Sequence, residues 1–108
     1  AVALVAAWRR LEVLRAEWRV WAAGHDAVLM PTTANLPPPV ARLLADPDYF
    51  TAENLLALRN TRLINLLGGC AVTLPLGVPG CGLMAAAPGG GDAALMRLAA
   101  AMERAVAA

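Results

Sequence analysis

The chain has no serine and no lysine. Without serine there is no serine nucleophile, and without lysine there is no amine base to activate one. Histidine occurs once, as His25, with no Cys or His partner at ligand spacing, which excludes a zinc-type site. Cysteine occurs twice, as Cys70 and Cys81, too few for a disulfide scaffold. Neither sign of charge dominates: nine arginines stand against eight acids, a net charge of +1, so no nucleic acid or other polyanionic partner is expected.

Apolar residues are abundant. They make up 59% of the 108 residues and the mean hydropathy is +0.57, more than a soluble domain of this size ordinarily carries. Such a chain is a membrane protein or a piece of a larger core. Residues 63–91 carry no charge, but Gly68, Gly69, Pro75, Gly77, Pro79, Gly80 and Gly82 interrupt them and no membrane-spanning helix survives. The apolar start runs directly into Trp8-Arg9-Arg10 and does not resemble a signal peptide. Position 1 is Ala rather than Met, and the expectation is a single segment, residues 1–108, of a larger fold.

Periodicity predicts a helix over residues 2–23. Leu4, Trp8, Leu11, Leu14, Trp18 and Trp21 share one stripe, much of the opposite face is Arg9, Glu12, Arg15 and Arg19, and Gly24 is the expected C-cap. Residues 27–30 have the length of a buried strand ended by Pro31. Residues 40–45 suit one or two helical turns before Asp46-Pro47-Asp48 breaks them. Thr51 is the expected N-cap of a helix running to about Leu66, stopped by Gly68-Gly69. Strands are expected over 70–74 and 83–87, then a helix capped by Asp92 and running through Val106, with Leu95, Leu98, Ala99 and Met102 inward. The order helix, strand, helix, strand, strand, helix indicates an α/β fold, a mixed-sheet layer with flanking helices.

Thr32, Thr33 and Asn35 follow a strand end, where α/β proteins often bind ligands, although polar turn formation is the simpler role for them. Asn65, near the end of an apolar helix, is a second substrate-contact candidate, with pinning of the next loop through its side chain as the plainer role. Gly89-Gly90-Gly91-Asp92 superficially resembles a phosphate cradle, but it lacks the Lys-Ser/Thr that such a loop needs, and Asp92 repels an anion there. His25 reads as a loop or C-cap residue. If the two late strands form a hairpin, Cys70 and Cys81 fall at opposite ends and stay reduced. The tryptophan stripe suits a core or interface more than a membrane surface, because Glu12 and Glu17 dilute its basic face.

The ordered set is Asp26, Pro31 and Thr32; Asn65 and Gly68; Thr73, Leu74, Pro75 and Gly77; Gly82 and Leu83; Gly91 and Asp92. It resembles the closing section of the amidase signature hydrolases, over about Trp18 to Val106. The resemblance implies that this chain supplies the last elements of a large sheet flanked by helices. Asp26, Pro31, Gly68, Pro75, Gly77 and Asp92 are then structural positions. It further implies a cytoplasmic parent that hydrolyses carboxamides to acid and ammonia with a Ser–Ser–Lys triad, without metal or other cofactor. That triad comes from the earlier half of such proteins, so no catalytic residue maps here. The partner it implies is the remainder of the amidase chain; the aromatic area of the tryptophan stripe separately suits a homo-oligomer or an interdomain contact. Cys81-Gly82-Leu83-Met84 departs from the family's usual Pro-x-Gly-Leu-Gln, and residues 58–64 lack the acid of the glutamine-using members. A general amidase or the amidase half of an allophanate hydrolase is therefore the expected parent. A standalone interaction module built on the tryptophan-bearing helix is the alternative.

Overall fold

Helix α1 spans Val2–Ala22, uninterrupted by glycine or proline, and an Arg15–Glu12 ion pair of 2.7 Å braces it at i, i+3 spacing. Its cap is Ala23, in right-handed helical conformation, rather than the expected Gly24. His25 lies two residues beyond that cap, with Nδ1 3.3 Å from the Trp21 carbonyl oxygen and its ring against the Trp21 indole. The computed structural model describes residues 1–107.

Strand β1 is Val28–Pro31, and the short helix α2 is Val40–Ala45. Helix α3, Pro47–Leu66, starts four residues before the expected cap at Thr51. The cap is Asp46, whose carboxylate accepts from the Asp48 and Tyr49 backbone N–H groups at 3.1 and 3.0 Å. Pro47 is the reason. At the first helical position its missing N–H costs nothing and its fixed φ suits the helix, so the proline starts α3 instead of breaking it. Thr51 lies inside the helix, its hydroxyl donating to the Pro47 carbonyl. The C-terminal end falls where the glycine pair predicts: Gly68 has φ +70°, the left-handed residue that closes a helix.

Strands β2, Gly69–Pro75, and β3, Gly82–Pro88, form a hairpin, and β1 pairs with the other side of β3. The order is β1-β3-β2 and every pairing is antiparallel, with Val28 opposite Ala86 and Gly69 opposite Pro88. The sheet is therefore antiparallel within these residues rather than mixed. Helix α4 spans Asp92–Ala107. Leu95 N–H donates to the Gly91 carbonyl at 2.9 Å, so Gly91 flanks the helix. Asp92 is its first helical residue rather than its cap, a carboxylate in the turn that favours negative charge.

β3 is covered on both sides. Met84 and Ala86 pack with Ile64 of α3 and Met30, whereas Ala85 and Ala87 pack with Leu95 of α4, Cys70 and Met102. Alternation along one strand thus feeds two helix layers, and alanine at three successive positions lets both approach closely. Of the expected α4 stripe, Leu95 and Ala99 are buried and Leu98 and Met102 half-buried. α1 differs. Only Ala22 is buried, Leu11 and Trp18 are half-buried, and Trp8 and Trp21 are 52% and 56% exposed. Trp18 crosses over Gly69, where a Cβ would lie 2.7 Å from its ring and 2.9 Å from Ile64. Both cysteines are free: Cys70 stands opposite Ala87 near one end of the hairpin and Cys81 precedes β3 at the other. The molecule is a slab, 51 × 44 × 16 Å.

Candidate functional site at the end of strand β1

The ladder between β1 and β3 continues one residue past Pro31, with Thr32 N–H donating to the Gly82 carbonyl at 2.9 Å. Gly82 lies in the central strand between β1 and β2. A Cβ there would fall 2.8 Å from Thr73 Cγ2 and 2.9 Å from Thr32 Oγ1. The missing side chain leaves a gap that threonines from the two outer strands fill, and the Thr32 hydroxyl donates to Thr73 across it at 3.2 Å. No carboxylate or imidazole bonds to either hydroxyl among the described residues, so neither has the base that would make it a nucleophile.

Thr33 Oγ1 donates to the Asn35 carbonyl at 3.0 Å, a side-chain-to-backbone bond that folds the turn. The Asn35 amide donates to both the Glu53 carbonyl and the Glu53 carboxylate, and the Asn60 amide donates to the Pro31 carbonyl at 2.7 Å. Glu53 and Asn60 are seven residues apart on α3, roughly two turns, and so point the same way. One helix face thus holds both ends of the 31–35 segment. Neither anchor was singled out from the sequence. The available signal was only the seven-residue spacing that puts Glu53 and Asn60 on one face, and it does not stand out among the other polar residues of α3.

Asn65 lies elsewhere. It is five residues beyond Asn60, roughly 140° around the helix. It is exposed and lines a surface hollow with Leu58, Thr61 and Arg62. Its backbone carbonyl, rather than its side chain, accepts from Gly68 N–H at 3.1 Å and holds the following turn. The structure therefore brings Thr32 and Thr33 to one corner and leaves Asn65 on another side.

Asp26 is exposed ahead of β1, and Pro75 ends β2 opposite Gly82. Gly77, with φ +73°, and Gly80, with φ +76°, shape the hairpin loop. The Cys81 N–H donates to the Val78 carbonyl at 3.0 Å and closes a turn with Pro79 and Gly80 at its centre, the type II arrangement. The same Gly80 touches the Pro37 ring so closely that a Cβ would come within 2.7 Å of it. Loop 33–38, α2, α3 and Gly80 together enclose a hollow of about 310 Å³, mainly apolar in its walls. No group of three His, Cys, Asp or Glu side chains able to hold a metal ion occurs among the described residues. No described helix is long and apolar enough to cross a membrane.

No family model matches the chain, and no solved structure matches it. A curated protein to which it is similar is the 2-amino-5-chloromuconic acid deaminase of Comamonas testosteroni, 42% identical over 53 residues. The matched stretch is 49% of this chain and 11% of that protein, so the likeness spans about a tenth of the relative's length.

Proposed function

We propose that these residues form the C-terminal structural and pocket-wall portion of an amidase that hydrolyses carboxamide C–N bonds to acid and ammonia, inactive by themselves. The observation that carries the reading is the 53-residue likeness to a deaminase, by its name an enzyme that breaks carbon–nitrogen bonds. The order of motifs from Asp26 to Asp92 supports the amidase signature family as the source. A chain without serine or lysine holds no part of that family's triad, so the nucleophile stands elsewhere in the polypeptide. The 31–35 corner, held by Asn60 and Glu53, then serves as wall. Thr32 and Thr33 are the residues offered to substrate there, and Asn65 is a weaker third.

The surface supports a piece of something larger. The accessible area is 7424 Å². A compact monomer of this mass exposes about 5,700 Å². The surplus includes the outer edges of β1 and β2 and the tryptophan side of α1. The proposed partners are the remainder of the amidase chain and, through α1, a second copy.

The test is ammonia release from a panel of carboxamides. The full polypeptide carrying these residues should release ammonia and residues 1–108 alone should not. Ammonia release by the piece alone, or none from a folded full polypeptide on any carboxamide, would contradict the reading. A second reading, an interaction module, draws on one observation: Leu4, Trp8, Leu14 and Trp21 all stand exposed on α1. A partner captured through that face by a chain with no amidase attached would favour it.

A further inference from the structure

Glu53 sits in the wall of the 310 Å³ hollow, half-buried, among Leu36, Pro37, Leu43, Phe50 and Ala57. The donor its carboxylate has is the neutral Asn35 amide. The ion pair among the described residues joins Arg15 to Glu12 on another helix, and Arg42, the arginine of α2, stacks on Tyr49 with its guanidinium carbon 3.8 Å from the ring centroid. A carboxylate withdrawn partly from water against apolar walls is costly unless a cation or several donors satisfy it. One amide leaves most of its acceptor sites open.

We propose that this hollow binds a small primary amine or amidine on an apolar body, the cationic head on Glu53 and the body between Phe50, Leu43 and the proline loop. The Glu53 carboxylate disfavours an anion, and three further features suit a small, rigid ligand. The volume lies at the small end of ligand pockets, which suits a ring with one short arm. The walls are built from stiff elements, the Pro37-Pro38 segment and α3, so the shape is largely preformed. The Gly80 backbone closes one side against Pro37, an approach that any side chain at position 80 would prevent. Asn35 holds the carboxylate in place while donating to the Glu53 carbonyl, leaving the acid oriented before a ligand arrives. The inference is independent of the amide-hydrolysis reading, since it needs neither nucleophile nor turnover.

The experiment is calorimetric titration of the full polypeptide with benzylamine, and with phenylacetate as the anionic counterpart. Glu53→Gln keeps an oxygen for the Asn35 amide and so preserves the local hydrogen bonding while removing the charge. It should weaken benzylamine about tenfold, the loss of a charge-assisted contact. Ala57→Phe, filling the hollow from α3, should abolish binding with the circular dichroism spectrum unchanged. Phenylacetate should not bind at the site. Benzylamine affinity unaltered by Glu53→Gln, equal binding of phenylacetate, or no benzylamine binding to the folded polypeptide would each overturn the assignment.

Discussion

Gly82 illustrates how one residue without a side chain organises its neighbours. The space above it is used by Thr32 and Thr73, so any larger residue must displace threonine atoms less than 3 Å away. Gly82→Val is expected to destabilise the full polypeptide by about 1–3 kcal/mol, the range for overpacking, and to break the threonine pair. Urea unfolding measures the first effect and the threonine methyl resonances report the second; an unchanged midpoint would show that the strands part freely there. Asn60→Ala removes the donor on the Pro31 carbonyl and should cost about 1 kcal/mol. If the 31–35 corner is pocket wall, the same variant raises KM for carboxamides more than it lowers kcat. The sequence makes Thr32 and Thr33 visible as a polar pair after a strand. It does not make the anchors of that corner visible, because Asn60 and Glu53 reach it across 29 and 18 residues of chain separation.

At the scale of elements, the start of α3 separates two readings of the same stretch. Asp46→Ala removes an acceptor for two backbone N–H groups and should cost about 1 kcal/mol, the usual worth of a cap. Thr51→Ala should be within about 0.5 kcal/mol of neutral, as a substitution on an exposed helix face. Thermal melts of the two variants decide it, and the opposite ranking would return the cap to Thr51. Both helix ends carried signals. The C-terminal one was unambiguous, since Gly68 at φ +70° can do little else than stop a helix. The N-terminal one was ambiguous because Asp-Pro both ends a preceding helix and starts a following one. The strands were legible to within one or two residues from their apolar runs and the flanking Pro and Gly. Their order was not: placing β3 between β1 and β2 depends on which strand can be covered on both faces, a property of the assembled layers.

At the scale of the whole molecule, the radius of gyration is 16.7 Å. A compact chain of this length would have about 13 Å. The central strand is as buried as any core, yet the helix that carries all three tryptophans is largely open and the outer strands are unpaired on one edge. A sheet with open edges and exposed apolar side chains is prone to association. Residues 1–108 alone should therefore bind a hydrophobic dye and aggregate at micromolar concentration, in contrast to the full polypeptide. A monodisperse, dye-negative monomer would mean that the exposed α1 face is tolerated without a cover.

The most direct measurement is fluorophosphonate labelling of the full polypeptide followed by intact mass and peptide mapping. The account expects a single adduct on a serine outside residues 1–108, with loss of ammonia release in step with labelling. A folded full polypeptide that takes no adduct, or a full polypeptide whose intact mass is only 11.2 kDa, would contradict it, and the tryptophan-bearing helix would then become the feature to explain.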